Sequence, residues 1–291
     1  MDGSGVDLHQ ARRLAVDVAH EAGALLRGRA RGHLGARPKG GSGDVVLALD
    51  LAAEELILRR LRAAFPGHRI VAEESGVHEA DSAWTWLVDP LDGTNNVAVG
   101  LSTYVVGLAL CDRGQPVLGV VHDPITEQTW SAVLGAGADG PNGRLRPVSR
   151  PTPHGPVLGW TQGHGVARSD DTARALKLVL EMHSYRLLQL WAPLLCWVML
   201  ARGDIDGFVG YHAEAVDLPA GSLLAAEAGL AIRTLDDRPF EDMVAETAER
   251  SFVAGHPDRI PELLALVRAA FQIRPAVSAL PLPLTGLARA D

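Results

Sequence analysis

The chain has 291 residues, of which 47% are hydrophobic and 21% charged, and its formal net charge is −8. This length suits one large domain or two closely packed halves with a sizeable core. The negative charge argues against general nucleic-acid binding, and no apolar run reaches the roughly 18–20 residues that a membrane span needs. The N-terminus lacks a basic-then-apolar signal pattern, and both cysteines, Cys111 and Cys196, lie in apolar runs as buried thiols rather than a disulfide. These features predict a cytoplasmic protein.

Apolar residues repeat at helical spacing in two stretches near the N-terminus and predict two amphipathic helices. The predicted helices run from Leu8 to about Arg29 and from Asp50 to about Phe65. A short strand is predicted over Asp44 to Leu49, and Asp50 is interpreted as the N-cap of the second helix. Gly28 to Gly43 predicts a loop or hairpin. It contains Lys39, which is either a solvated surface group or a group that meets phosphate or water near a metal.

A strand predicted over Arg69 to Ala72 ends in a pair of acids, Glu73 and Glu74. Paired glutamates are ordinarily solvated, and that alternative stays open at this point. Acids that follow a buried strand and converge with other acids in one cleft repel each other unless a cation neutralises them. The pair is therefore of interest beside the acids that follow the next strand.

Residues 86–96 read Trp-Leu-Val-Asp-Pro-Leu-Asp-Gly-Thr-Asn-Asn and form the most informative stretch of the chain. The apolar run predicts a buried strand that ends at Asp89, after which proline takes the chain out of the sheet ladder. Asp92 follows at a turn where Gly93 can adopt a positive φ, and Thr94 and Asn95 are the predicted caps of a helical turn. Two acids beside backbone N–H groups are what a divalent-metal phosphate site needs.

Two other interpretations of this stretch were weighed. An Asp-Pro turn followed by an Asp-Gly turn would use the same residues without any chemistry, and an isolated motif does not exclude it. Phosphatases that form an aspartyl-phosphate place two acids at i and i+2. In this chain Asp89 and Asp92 are at i and i+3 with a proline between them, which disfavours that mechanism.

The remaining chain predicts an antiparallel meander followed by alternating strands and helices. The meander strands are Tyr104–Cys111, Val117–His122 and Gln128–Leu134, followed by a turn at Asn142-Gly143. The later strands are Val157–Trp160, Leu187–Trp191, Gly207–Tyr211, Leu230–Leu235 and Ser251–Ala254. The later helices are Ser169–Met182, Pro193–Arg202, Asp217 to about Ala228, and Pro257–Phe271. We expect an N-terminal half over residues 1–150, a C-terminal half over 151–273 joined through Pro151–Pro156, and a proline-rich, poorly ordered tail over 274–291.

Asp217 precedes Leu-Pro at the start of a predicted helix. An acid at this position is commonly a helix cap. It is also placed to bind a metal opposite Asp89 and Asp92, and spacing alone does not decide between the two roles.

The ordered set Asp50, Glu73-Glu74, the D-P-x-D-G-T-x-N motif at 89–96 and Asp217-x-x-Ala220-Gly221 resembles the inositol monophosphatase family of Mg²⁺-dependent, lithium-sensitive phosphatases. The resemblance spans roughly Leu8 to Phe271. It implies an α/β fold built as a layered αβαβα sandwich, a homodimer, two or three Mg²⁺ ions and no covalent phosphoenzyme.

The resemblance also implies residue roles. One Mg²⁺ would be held by Glu73, Asp89 and the carbonyl of Leu91, a second by Asp89, Asp92 and Asp217, and a third, weaker ion by Glu73. The N–H groups of Gly93 and Thr94 would receive the phosphate, and the Thr94 hydroxyl, hydrogen-bonded to Asp50, would orient or deprotonate the attacking water. Glu74 would not bind an ion itself but would lie next to the metal ligands. Lys39 would lie near the weakest ion.

The chain departs from the family on the substrate side. Trp191-Ala192-Pro193 occupies a usual G-[ST]-A segment, and Gly210 aligns with a glutamate that often contacts an inositol hydroxyl. Trp191 is either a core residue or a wall of the site, and in the second case it suits an aromatic or nucleoside-like leaving group. Tyr211, His212 and Glu214 are nearby polar groups or ordinary loop residues.

The expected function is a Mg²⁺-dependent phosphomonoesterase that uses metal-activated water on a small-metabolite phosphate. The substrates considered are an inositol phosphate, histidinol phosphate, a sugar phosphate, a nucleotide such as adenosine 3′,5′-bisphosphate, or an intermediate of specialised metabolism. The alternative is a catalytically silent family member that serves as a binding or regulatory protein. The sequence does not identify the leaving group, and neither a nucleic-acid nor a membrane partner is expected.

Overall fold

The computed structural model describes residues 5–29, 37–39, 44–148, 154–240 and 250–279. Its helices are α1 (Leu8–Arg29), α2 (Ala48–Ala64), α3 (Thr94–Ala98), α4 (Asp171–Met182), α5 (Pro193–Arg202), α6 (Pro219–Glu227) and α7 (Ile260–Ser278). A short 3₁₀ turn, Pro257–Arg259, leads into α7. Within the described ranges, no helix combines the length and the hydropathy that crossing a membrane requires.

The described strands divide into two sheets and one small hairpin. The hairpin is β1 (Arg37–Lys39) and β2 (Asp44–Val46). The larger sheet contains β3 (Arg69–Ala72), β4 (Gly76–His78), β5 (Trp84–Asp92), β6 (Val105–Asp112), β7 (Gln115–Asp123), β8 (Gln128–Val133), β9 (Gly137–Gly140) and β10 (Gly143–Arg144). The smaller sheet contains β11 (Val157–Gln162), β12 (Arg186–Leu188), β13 (Gly207–Tyr211), β14 (Ala231–Thr234) and β15 (Phe252–Gly255).

The larger sheet has the order β10-β9-β8-β7-β6-β5-β3-β4 and is antiparallel except for the parallel pair β3 and β5. The smaller sheet has the order β12-β11-β13-β15-β14, with β11 parallel to both of its neighbours. The predicted meander is confirmed as β6, β7 and β8. The predicted turn at Asn142-Gly143 joins β9 to β10 as a hairpin.

Three hydrophobic cores show how the layers stack. Alternate residues of one strand face opposite sides of a sheet, and in β6 Leu108 packs with α1 and α2 whereas Ala109 packs with α5 and α6. The smaller sheet does the same, because Phe208 faces α5 and α6 whereas Val209 faces α4 and α7. The order is helices, larger sheet, helices, smaller sheet, helices, so the predicted αβαβα sandwich is confirmed.

Small residues let the middle helices approach the larger sheet closely. At Gly107 in β6 a Cβ would overlap the side chain of Leu194 in the first turn of α5. A Cβ at Gly119 in β7 would lie 2.7 Å from the carbonyl oxygen of Ala220 in the first turn of α6. Both helices therefore bring their N-terminal turns against β6 and β7, and β6 is the neighbour of β5, which carries Asp89 and Asp92.

Several predicted boundaries are wrong for local reasons. The strand predicted over Asp44–Leu49 ends at Val46, and α2 begins at Ala48, so Asp50 is the third helical residue rather than the N-cap. Its carboxylate still serves the helix start, since Oδ2 accepts the N–H of Leu47 at 2.6 Å. The residue before α3 is Gly93, with φ 109°, rather than Thr94 or Asn95. Pro90 was predicted to take the chain out of the sheet, but it remains within β5. A bulge between Asp89 and Asp92 accommodates the proline in the strand.

The C-terminal helix is longer than predicted. It was expected to end at Phe271, with a tail from Arg274, but α7 continues through Pro275 to Ser278. Val277 is buried in the third core, so packing outweighs the helix-breaking tendency of a proline in the last turns. The rest of the predicted tail, 280–291, and the first half of the predicted connection, 151–153, lie outside the described residues.

A buried histidine lies between α1 and the larger sheet. His122 in β7 is 5% exposed, and a Cβ at Gly23 of α1 would lie 2.6 Å from its ring. Its Nδ1 and the Nε2 of His20 lie 2.9 and 2.7 Å from the Thr129 hydroxyl. Burial, followed by the neighbouring His20, lowers the pKa of His122 to about 4.

We expect this histidine to cost stability in acid. The folded state holds His122 neutral while the unfolded chain protonates near pH 6.5, so stability is lost as the pH falls from about 6.5 to about 4. After a discount for partial solvent access, the loss is about 1–2 kcal/mol. Urea unfolding of the wild type and of His122→Gln at pH 7 and pH 4.5 measures it. The exposed His9→Gln is the control, and an equal pH dependence in His122→Gln and the wild type would contradict the assignment.

Candidate metal centre

Two neighbouring strands of the larger sheet carry acids at the same edge. Because β3 and β5 are parallel, their C-terminal ends lie side by side, and the N–H of Glu73 donates to the carbonyl of Val88 at 3.0 Å. Asp89 follows Val88 directly, and Asp92 ends the strand. The third acid, Asp217, is distant in sequence from these strands and lies immediately before Leu218, the N-cap residue of α6.

The acids meet at one point. Asp89, Asp92 and Asp217 each offer a carboxylate oxygen, and these oxygens all lie within 4.8 Å of one another. Asp89 and Asp92 are 2% and 5% exposed. Glu73 belongs to the same cluster, because it makes a side-chain hydrogen bond with Asp89.

The electrostatics of the cluster are unfavourable without a counter-ion. Burial raises the pKa of Asp89 well above its usual value, and the charges of Glu73, Asp92 and Asp217 raise it further. Burial also raises the pKa of Asp92, with Glu73 adding to the effect and the amides of Leu194 and Leu195 opposing it. Converging carboxylates in a buried site are stabilised by a hard cation, and an all-oxygen donor set suits Mg²⁺, Mn²⁺ or Ca²⁺. The residues therefore fit a divalent ion.

Main-chain groups fix the two strand acids in place. Asp89 Oδ1 accepts the N–H of Leu91 at 3.0 Å, across the bulge that contains Pro90. Asp92 Oδ2 accepts the N–H of Leu194 at 2.7 Å, in the first turn of α5. An acid at a helix N-terminus is also stabilised by the helix dipole. The bulge and α5 together hold the carboxylates where Asp217 can join them.

The turn after Asp92 depends on glycine. Gly93 has φ 109°, and a Cβ there would lie 2.6 Å from the carbonyl oxygen of Thr103. No residue with a side chain fits this close approach without moving the backbone. The turn starts α3 beside the acidic cluster, where the N–H groups of Gly93 and Thr94 are predicted to receive phosphate.

Both residues of the predicted water-activating pair, Asp50 and Thr94, are buried. The Thr94 hydroxyl donates to the carbonyl of Leu91 at 2.9 Å, which is the carbonyl predicted to bind the first ion. A hydroxyl has one proton to donate, so the hydrogen bond that it is predicted to donate to Asp50 stays a prediction. Lys39 lies in β1, and its side chain is outside the described part of the chain.

One contributor to the site was missed. Glu54 in α2 is 2% exposed, and its two carboxylate oxygens accept the N–H groups of Glu74 and Ser75 at 2.8 and 2.9 Å. It therefore holds the turn that presents Glu73. The sequence did contain a signal, because Glu54 is an acid on the helix face that also carries the apolar Ala53 and Ile57.

We expect Glu54→Gln to weaken metal binding. The amide keeps one acceptor but turns its NH₂ group toward a backbone N–H, so the turn carrying Glu73 loses a hydrogen bond and shifts. Loss of a group that orients a ligand costs about 10- to 100-fold in metal affinity. Calorimetric titration of the metal-free protein with Mn²⁺ measures the change, with the exposed neighbour Glu55→Gln as the control. Equal affinities in Glu54→Gln and the wild type would show that Glu54 does not position the ligand.

The predicted substrate wall divides into exposed and buried parts. Trp191 is 62% exposed and has φ +52°, which excludes the core interpretation. Gly210 is buried, and the ring of Phe252 fills the space where its side chain would project. Glu214 accepts the N–H of His164 at 2.9 Å. His212, next to Tyr211, donates its N–H to Ser251 Oγ at 3.1 Å.

Comparison with known proteins agrees with this geometry. Residues 7–270 match the Inositol monophosphatase family. The inositol-1-monophosphatase of Mesorhizobium japonicum is 36% identical over 199 residues, covering 67% of this chain and 74% of that protein. The Nus factor SuhB of Pasteurella multocida is 36% identical over 191 residues, covering 64% and 70%. The solved structure of the Thermotoga maritima IMPase is 25% identical with a TM-score of 0.79, covering 91% of this chain and 99% of that one. The chain therefore belongs to the inositol monophosphatase family.

Proposed function

We propose that this protein is a Mg²⁺-dependent phosphomonoesterase that hydrolyses a small-metabolite phosphate. The observation that carries the proposal is the convergence of Asp89, Asp92 and Asp217 within 4.8 Å, with Glu73 hydrogen-bonded to Asp89. Such a cluster costs stability unless it holds cations, so its presence needs a functional reason. Family membership supplies the reaction class.

Within this proposal each residue has a role. Glu73, Asp89 and the Leu91 carbonyl would hold one ion, Asp89, Asp92 and Asp217 would hold a second, and Glu73 would also bind a third, weaker ion. Bound divalent ions neutralise the phosphate and lower the pKa of water in such sites. The N–H groups of Gly93 and Thr94 receive the phosphate oxygens. Thr94, paired with Asp50, orients or deprotonates the attacking water.

The N-terminal and C-terminal halves of the chain contribute different parts of the proposed site. Residues 1–150 provide most of the ligands, and residues 151–273 provide Asp217 and the substrate wall. Glu74 supports the ligands through its N–H bond to Glu54, and Lys39 lies near the weakest ion. We further propose that the protein acts in the cytoplasm as a homodimer.

The proposal is tested by phosphate release from a panel of monoesters with Mg²⁺, with EDTA and with added Li⁺. The panel contains inositol 1-phosphate, histidinol phosphate, fructose 1,6-bisphosphate, adenosine 3′,5′-bisphosphate and a generic aryl phosphate. We expect release that requires Mg²⁺ and is inhibited by Li⁺ for at least one ester.

A second candidate is a binding or regulatory role without catalysis. It is favoured by the names of several relatives at 32–36% identity, which are Nus factors. Tight metal binding with no release from any ester would support this role and contradict the phosphatase proposal.

A further inference from the structure

Trp191 combines an exposed aromatic side chain with a left-handed backbone. Its side chain is 62% exposed, and its backbone lies in the left-handed region with φ +52°. A bulky residue is strained in that region, where glycine is not. Burial does not offset the strain, because the indole faces solvent. Strain of this kind persists where the surroundings enforce it, and it clusters at ligand-binding sites.

The metal centre enforces the position of Trp191 from both sides. On one side, the carbonyl of Leu190 accepts from Asn96 Nδ2 at 2.6 Å, and Asn96 lies in α3 directly after the glycine turn. On the other side, the N–H of Leu194 donates to Asp92 Oδ2 at 2.7 Å. Consecutive Cα atoms are about 3.8 Å apart, so the Trp191 Cα lies within about 11 Å of the Leu194 Cα. The backbone of Trp191 is therefore held beside the acidic cluster, and we call this part of the surface the rim.

Two further apolar side chains are exposed on the segment that Asn96 joins to Trp191. Val99 and Leu101 are 65% and 53% exposed. They follow α3, and the N–H of Leu101 donates to the carbonyl of Asn96 at 2.8 Å, so the same asparagine holds both segments. At Gly210, where the family often has a glutamate, Phe252 takes the space and leaves no polar side chain for a hydroxyl.

We infer that Trp191 determines substrate specificity by stacking on a flat ring in the leaving group. The substrate class is a phosphate monoester of an aromatic, heteroaromatic or nucleoside alcohol rather than of a polyol. The inference rests on the proposed phosphatase function. An exposed indole offers a large planar surface with few rotatable bonds, which suits a planar partner and offers nothing specific to a polyol.

The test compares two substrates across matched variants. Phosphate release with Mg²⁺ is measured for adenosine 3′,5′-bisphosphate and for inositol 1-phosphate, using the wild type, Trp191→Phe and Trp191→Ala. Phe271→Ala, which removes an exposed aromatic side chain from α7, is the control. We expect a wild-type preference for the nucleotide. The ratio of the two kcat/KM values should fall about 5- to 100-fold in Trp191→Ala, mainly through KM. It should stay near the wild-type value in Trp191→Phe and Phe271→Ala.

The oligomeric state of each variant is measured in parallel by sedimentation. A second copy of the chain is the other occupant that the rim of Trp191, Val99 and Leu101 would suit. If Trp191→Ala changes the oligomeric state and lowers both activities equally, the rim is an interface and the inference is overturned. An unchanged substrate ratio in Trp191→Ala also overturns it. Release from inositol 1-phosphate or fructose 1,6-bisphosphate alone among the five esters of the panel would overturn the inference, whereas no release from any of the five would instead contradict the phosphatase proposal.

Discussion

Replacing Asp89 with asparagine is expected to abolish phosphate release and leave the fold intact. Asp89 lies at the centre of the cluster, where the charges of Glu73, Asp92 and Asp217 all raise its pKa. An uncharged amide is a weaker ligand for a hard cation than a carboxylate, and under the proposed function losing a Lewis acid worth several kcal/mol lowers kcat by about a thousandfold or more. The fold should persist because the substitution removes a buried, repelled charge.

Three measurements separate these effects. Phosphate release reports activity, Mn²⁺ titration reports metal binding, and thermal melting in EDTA reports the fold. We expect the melting temperature of Asp89→Asn in EDTA to equal or exceed that of the wild type. Asp112→Asn is the matched control, because this partly exposed aspartate lies at the far end of β6 and pairs with Arg113. Near-normal Mg²⁺-dependent activity in Asp89→Asn would refute the metal assignment.

Adding Mg²⁺ to metal-free protein is expected to raise its melting temperature by about 5 °C or more. A ligand that binds only the folded state at 100 times its Kd adds about 2.7 kcal/mol of stability. For a chain of this size each kcal/mol corresponds to about 2–4 °C. Neutralising the repulsion among the acids is the physical source of this gain.

Matched samples with an equal ionic strength of choline chloride control for screening. Asp89→Asn and Asp92→Asn should lose most of the Mg²⁺-dependent shift, while Asp112→Asn should keep it. An identical shift with choline chloride would show that the effect is general screening rather than binding at the cluster.

Much of the site could be predicted because local sequence patterns indicate the strands and helices that carry its residues. The strand before Glu73 and the helix from Pro193 have the predicted bounds. A buried apolar run forces a strand, so acids that follow two such runs lie at strand ends. When the strands are parallel neighbours, these acids share an edge. The resemblance implied that Glu73 and Asp89 share an ion, and the parallel pairing of β3 and β5, which the local pattern did not predict, brings them to one edge.

Other features depended on tertiary contacts that local patterns do not contain. Glu54 resembled an ordinary helix residue until the fold brought the Glu74-Ser75 turn against it. The position of Trp191 depends on hydrogen bonds that its neighbours Leu190 and Leu194 make to Asn96 and Asp92, which are distant in sequence. The extension of α7 past Pro275 depends on a core that receives Val277. In each case a long-range contact outweighed a local preference.

The loop from Leu190 to Leu194 is hydrogen-bonded to the acidic site through its own main-chain atoms. The carbonyl of Leu190 and the amide of Leu194 make these bonds, and every residue type except proline, which lacks the amide proton, supplies both groups. Between them Trp191 exposes its side chain to solvent, so this side chain can be exchanged during evolution without disturbing the cluster of acids. Within the proposed function, such a position gives a lineage a way to acquire new substrates while the residues that hold the metal stay the same.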